Sequence, residues 1–182
     1  RSPKILTSLD GPRPSLDPVV THRDGTVYYG NEAIDSYRGN LYGLAVDLGT
    51  TTIVAELVDL ETGRSVYVTS FENPQRFGGS DVMNRISYDS GPFQGELHRA
   101  VINTLNTEIH QMCSQLGIDR HVIYEIVVVG NSTMRELFFN LNVQSIGQKP
   151  YKSLVENEFR EGKRTSTALV QLARKLRIHA NK

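Results

Sequence analysis

The feature that most constrains this chain is a short apolar run, Leu44-Ala45-Val46, that stops at Asp47 and passes at once into Leu48-Gly49-Thr50-Thr51-Thr52. A run of that length suits a strand, Leu48-Gly49-Thr50 turns the chain, and residues 51–60 rise again as a second strand. Glu61-Thr62-Gly63-Arg64 makes the next loop. Residues 65–71 then alternate Val66, Val68 and Ser70 against Tyr67, Thr69 and Phe71, the two-residue period of a half-buried strand. Consecutive strands joined by tight turns predict an antiparallel meander.

Downstream the period changes. Asn73-Pro74-Gln75 and Gly78-Gly79 close the meander, and Asp81 is expected to cap a short helix through Arg85. Over residues 96–116, Leu97, Val101, Leu105, Ile109, Met112 and Leu116 recur at helical spacing, and Gly117 ends that helix. Ile126-Val127-Val128-Val129 is β-branched throughout, which suits a parallel strand buried on both faces. Gly130-Asn131 stops it, and Thr133 with Glu136 resembles a capping box opening a helix over residues 134–141. A loop through Lys149-Pro150-Tyr151 follows, and Leu169, Leu172 and Leu176 predict an amphipathic helix over residues 165–176. The order is strand, strand, strand, helix, strand, helix, with the fourth strand fed by a crossover helix. It is the order of a ribonuclease-H-like α/β fold with a mixed sheet.

Residues 1–40 read differently. They hold Pro3, Pro12, Pro14 and Pro18 and the turn signals Asp10-Gly11 and Asp24-Gly25, with Thr26-Val27-Tyr28-Tyr29 as a short strand. This stretch is expected to be a linker or the tail of a preceding domain, and residues 41–182 the first subdomain of a larger one.

Twenty basic residues balance twenty acidic ones, and no basic stripe is interleaved with aromatics, which argues against a nucleic-acid partner. The longest apolar runs are far too short for a membrane span. Cys113 is the single cysteine, so the chain forms no internal disulfide and cannot by itself hold an iron-sulfur cluster. Arg1-Ser2-Pro3-Lys4 lacks the apolar core of a secretory signal, and a cytoplasmic location is the expectation.

The chemistry is concentrated in Asp47-Leu48-Gly49-Thr50-Thr51-Thr52. Between paired strands, Gly49 would let the backbone approach a ligand, and Thr50, Thr51 and Thr52 would offer hydroxyl and amide donors to phosphate oxygens. Asp47, at a strand end, stands where a carboxylate can hold magnesium against a nucleotide's phosphates. The plainer alternative is a hairpin whose threonines serve β propensity.

Four separated motifs go further. Gly43-Leu44-Ala45-Val46-Asp47-Leu48-Gly49-Thr50-Thr51-Thr52, Asn73-Pro74-Gln75, Asp81-Val82-Met83-Asn84-Arg85-Ile86 and Val128-Val129-Gly130-Asn131-Ser132-Thr133-Met134 occur in this order. Together they resemble the reductive activators of corrinoid proteins, which carry a domain of the actin, hexokinase and acetate kinase superfamily. The resemblance spans roughly residues 41–151, and residues 1–40 would match the end of that family's middle region. It implies ATP and Mg2+ as cofactors, with Asp47 on the metal and Gly49, Thr50, Thr51 and Thr52 on phosphate. It also implies that Gly130, Asn131 and Thr133 line the same cleft. Such activators use ATP to drive an uphill electron from a 2Fe-2S cluster to the cobalt of a corrinoid protein, the implied partner. This chain lacks the cluster's cysteines and ends at Lys182 before a second phosphate turn, so the expectation is a fragment of a longer protein. Its partner could also be a second copy of itself.

Two other readings use the same residues: a phosphotransferase of the acetate or sugar kinase kind, and a non-catalytic interaction module on the same fold. Asp81 and Arg85, four apart, would form a cap and a helical ion pair or else face the cleft. Asn73-Pro74-Gln75 is either a loop over the cleft or a polar turn. His110 and Cys113 have the spacing of a helical metal pair without a second pair to complete it.

Overall fold

The computed structural model describes residues 19–181, and the Asp10-Gly11 turn and Pro3, Pro12, Pro14 and Pro18 lie outside them. The meander forms as its alternation requires. Strands β4 (Tyr42–Leu48), β5 (Thr52–Asp59) and β6 (Ser65–Glu72) pair antiparallel, with Leu48 opposite Ile53 across the first turn. Strand β7 (Ile123–Val129) joins β4 in parallel, giving the order β6-β5-β4-β7.

Upstream, β1 (Val20–Arg23), β2 (Thr26–Tyr29) and β3 (Glu32–Ser36) form a separate antiparallel sheet, so the strand expected at 26–29 is present with two neighbours. Its small core of Val20, Val27 and Leu41 packs against Tyr37, Leu60 and Tyr124.

Helix α1 (Val82–Tyr88) is capped by Asp81, and α2 (Glu96–Leu116) ends at Gly117 in the left-handed conformation, both as the spacing predicts. The inward stripe of α2, including Leu97, Val101, Leu105, Ile109 and Met112, is buried in one core with Leu44, Val46 and Leu48 of β4 and Ile53, Ala55 and Leu57 of β5. The opposite face of the sheet is open among the described residues. Val127 and Val129 are 60% and 57% exposed there, so β7 is parallel but an edge strand covered on one side, not on both as its apolar run suggests. Composition reports that a strand can be buried on two faces, whereas coverage depends on what packs there.

Helix α3 covers Ser132–Phe138, and its cap is Asn131, whose side chain accepts from the Met134 amide at 3.0 Å. The capping box expected at Thr133 and Glu136 is absent because the helix begins earlier, at Ser132, which leaves Thr133 inside the first turn; both side chains are buried, Glu136 against Arg135 at 3.1 Å. Helix α4 (Leu154–Arg160) was not anticipated, although Ser153 and Glu156 form a complete capping box before it.

The helix expected over 165–176 does not form; that stretch holds a single β-bridge residue, Val170, and a 3-10 turn at Ala173–Lys175. Leu176, Ile178 and Ala180 are instead buried alternately in the main core. Asn106 of α2 ties that segment down, donating to the Arg177 carbonyl at 2.9 Å and accepting from the His179 amide at 2.7 Å. Burial at every second residue outweighs the local helical period here.

Asp35 of β3 links the two sheets. One carboxylate oxygen accepts from the Tyr124 hydroxyl at 3.1 Å and from Asn181 at 3.0 Å, the other from the Ser36 amide at 2.8 Å. Burial pushes its pKa up, but the bonds from Asn181, Ser36 and Tyr124 and the charge of Arg38 outweigh that and leave it below the ordinary 3.8. A carboxylate with a lowered folded-state pKa stabilises the fold above its unfolded pKa, and that stabilisation disappears as pH falls through the folded value. Wild type is therefore expected to be more stable than Asp35→Asn at neutral pH, with the gap closing below about pH 4. Thermal unfolding across this range checks it, and a gap independent of pH contradicts it.

Candidate functional site

The hairpin turn between β4 and β5 lies beside the end of β7, because the parallel pairing sets Asp47 opposite Val129. Two glycines permit this approach. A Cβ on Gly49 would stand 2.3 Å from the Thr52 carbonyl oxygen, and one on Gly130 would stand 2.9 Å from that of Leu48. Any larger residue at Gly49 would have to open the turn.

The carbonyls of the turn are held from behind. Gly49 accepts from the Asn73 side chain at 2.8 Å, Thr50 from the Arg85 guanidinium at 2.6 Å, and Thr51 from the Asn73 amide at 2.8 Å. In a trans peptide the N–H points opposite to the C=O of the same unit. Fixing the Gly49 and Thr50 carbonyls backward therefore aims the Thr50 and Thr51 amides forward, and among the described residues no acceptor meets either one. The side chains of Thr51 and Thr52 are exposed on the same turn. A turn of this kind can donate several hydrogen bonds to one anion.

Behind the turn stands a buried polar cluster. Asn73 and Gln75 are fully buried; Asn73 caps the 3-10 turn Pro74–Gly78, and Gln75 donates to the Leu97 carbonyl at 3.2 Å. Asn73-Pro74-Gln75 is thus a support beneath the turn and not a loop over a cleft. Arg85 is 1% exposed and donates from Nε to the Gly79 carbonyl at 2.9 Å. It forms no ion pair with Asp81, which instead binds the backbone and side chain of Asn84 at 2.8 Å. Burial pulls the Arg85 pKa down, offset in part by the charge of Asp81.

Asp47 projects onto the open sheet face, exposed, with Val54 and Val129 opposite it on the neighbouring strands. It has no ion-pair partner among the described residues, and no group of three or more His, Cys, Asp or Glu among them could hold a metal. A cation here would have one protein carboxylate and would take its other ligands from water and a bound phosphate, which is the habit of magnesium.

Of the residues expected across the cleft, Gly130 and Asn131 are exposed, and the Asn131 amide reaches the Thr50 hydroxyl at 3.4 Å. Thr133 is turned into the core at 2% exposure, because it follows the cap by two residues and faces inward on α3. Cys113 is a buried residue of α2, its thiol pushed up first by burial and then by Asp119, and it packs in the core; among the described residues no group of three or more potential ligands includes it.

A family model described as the RACo middle region matches residues 42–178, from the first residue of β4 to the segment packed on α2. The chain belongs to the RACo middle region family. That match contains all four motifs, and it places the name middle region on the meander and helices downstream of residue 40. Among curated relatives, corrinoid activation enzyme RamQ of Eubacterium limosum is 38% identical over 130 residues, covering 67% of this chain and 22% of that protein. The Co(II) methylated amine-specific corrinoid protein reductase of Methanosarcina barkeri is 29% identical over 107 residues, 58% of this chain and 19% of its own length. The chain thus spans about a fifth of the curated relatives it matches. A solved reductive activator for a corrinoid, iron-sulfur protein superposes with a TM-score of 0.70 at 34% identity, over 82% of this chain and 22% of that one. The RACo middle region here therefore has the mixed α/β arrangement of that activator. No helix among the described residues is long and apolar enough to cross a membrane.

The sequence identified the turn but not what holds it. Arg85 looks like the polar partner of Asp81 at helical spacing, and only the fold turns it toward Thr50. Asn73 carried a better signal, since asparagine before proline after a strand commonly bonds nearby backbone.

Proposed function

We propose that this chain supplies the first phosphate-binding half of the nucleotide site in an ATP-dependent reductive activator of a corrinoid protein, within a ribonuclease-H-like, actin-type ATPase domain. The observation that carries the reading is the turn whose carbonyls are gripped from behind, leaving the Thr50 and Thr51 amides turned outward. Those amides and the threonine hydroxyls would bind the β- and γ-phosphates, with Gly130 and Asn131 bordering them from β7. Thr133, being buried, acts through the packing of α3 and not by contact.

Asp47 would orient a hydrated Mg2+ beside those phosphates; the ion supplies charge neutralisation between them. The 2Fe-2S cluster of the intact protein would lie outside this chain, which has one cysteine, already committed to the core. The names of RamQ, the methylated-amine corrinoid protein reductase and the solved activator support a corrinoid protein as partner. A second copy of the chain is the other partner consistent with the open sheet face.

The test uses the full-length protein with its cluster reduced and a corrinoid protein in the Co(II) state. Cobalt reduction to Co(I), followed by absorbance, is expected to require Mg-ATP. Reduction at the same rate and extent without nucleotide contradicts the proposal. Phosphoryl transfer to acetate or a sugar, with no effect on cobalt, would establish the kinase reading instead.

A further inference from the structure

We infer that Arg85 is a positioning residue for the phosphates, acting through the Thr50 peptide; the inference rests on the phosphate reading of the turn. The guanidinium spans three segments. Nε donates to the Gly79 carbonyl at 2.9 Å, Nη2 to the Thr50 carbonyl at 2.6 Å, and Nη1 reaches Gln75 Oε1 and the Met134 sulfur, each at 3.4 Å. A planar fork can serve these directions at once, whereas an ammonium on a flexible stem cannot hold them in one plane.

Its burial is the second observation. A guanidinium at 1% exposure is ordinarily matched by a carboxylate, yet among the described residues none lies within ion-pair distance of Arg85. Neutral carbonyls and amides satisfy its hydrogens but do not cancel its charge. Nothing in the local packing requires a cation, because a neutral donor could cap the same carbonyls without the desolvation cost. An anion at the turn would complete the arrangement: the positive charge lies one peptide behind the outward Thr51 amide, in a setting where solvent screens it weakly. The same residue thus orients the peptide and raises the potential where phosphate charge would collect.

The experiment measures nucleotide affinity of the full-length protein by calorimetry, with AMP measured by competition, alongside urea unfolding. Arg85→Met keeps the bulk but removes fork and charge; Arg85→Lys keeps the charge but loses the fork. Arg85→Met is expected to weaken Mg-ATP about tenfold or more while AMP stays within about twofold of wild type. Arg85→Lys is expected to recover part of the Mg-ATP loss. A merely structural role would weaken ATP and AMP together, and that result overturns the inference, as does wild-type Mg-ATP affinity in either variant. Should Arg85→Met fail to fold, the Arg85→Lys comparison of ATP with AMP decides the matter alone. If wild type binds Mg-ATP and Arg85 proves indifferent, only this inference falls; if wild type binds no Mg-ATP, the phosphate reading falls as well.

Discussion

Replacing Ile109 with alanine is expected to lower the unfolding free energy by about 2–5 kcal/mol, the range for deleting a large aliphatic side chain from a packed interior. Ile109 is fully buried on the inward stripe of α2. That helix is 21 residues long, whereas α1, α3 and α4 have 7 each, so the covered face of the four-stranded sheet depends on it. Leu105, Met112 and Cys113 share its core with β4 and β5, and a well-packed site of this kind relaxes only partly around a void. Urea unfolding with an unchanged m-value reads the effect directly. A loss below about 1 kcal/mol would mean that the interior collapses around the vacancy, and that α2 is not the main support of the sheet.

The second large effect concerns function. In the full-length protein, Asp47→Ala is expected to weaken Mg-ATP at least about tenfold, roughly 1.4 kcal/mol, with little change in stability. The separation follows from position. Asp47 is exposed at the end of β4 and makes no ion pair among the described residues, so its removal breaks no internal contact of that kind, and exposed substitutions usually shift stability by no more than about 0.5 kcal/mol. If the carboxylate acts on magnesium, the difference between wild type and variant should shrink when ATP is titrated with the metal chelated. Equal affinity for Mg-ATP in the two proteins would retire the role assigned to Asp47.

The two predictions separate the layers of the molecule. Ile109 tests the interior that fixes the sheet, and Asp47 tests a surface group that the sheet merely carries. Arg85 belongs to both, being buried like the first and directed at the turn like the second.

Much of this was legible along the chain. The period of two over residues 65–71 and the three-and-four spacing over residues 96–116 record which side chains each element must bury, so β6 and α2 appear where the pattern puts them. Asp47, Gly49 and the threonines were readable because a tight turn between apolar strands restricts residue choice locally. The segment from Leu169 to Leu176 misled, since three leucines at helical spacing say nothing of Asn106 on α2, which ties down the backbone of Arg177 and His179 just beyond them. Val127 and Val129 were apolar enough for two-sided burial, yet apolar composition does not place a covering layer over them.

By itself, then, the sequence determined the antiparallel meander, the long helix α2, the parallel return of β7 and the turn at Asp47, because those depend on near neighbours and on hydrophobic period. Only the tertiary structure decided that Asn73 and Arg85 meet the carbonyls of that turn, that Asn131 and not Thr133 reaches it, and that Asn106 of α2 holds the backbone at Arg177 and His179. Those facts join residues distant along the chain, and a hydrogen bond between such groups exists only once packing has set their separation and direction.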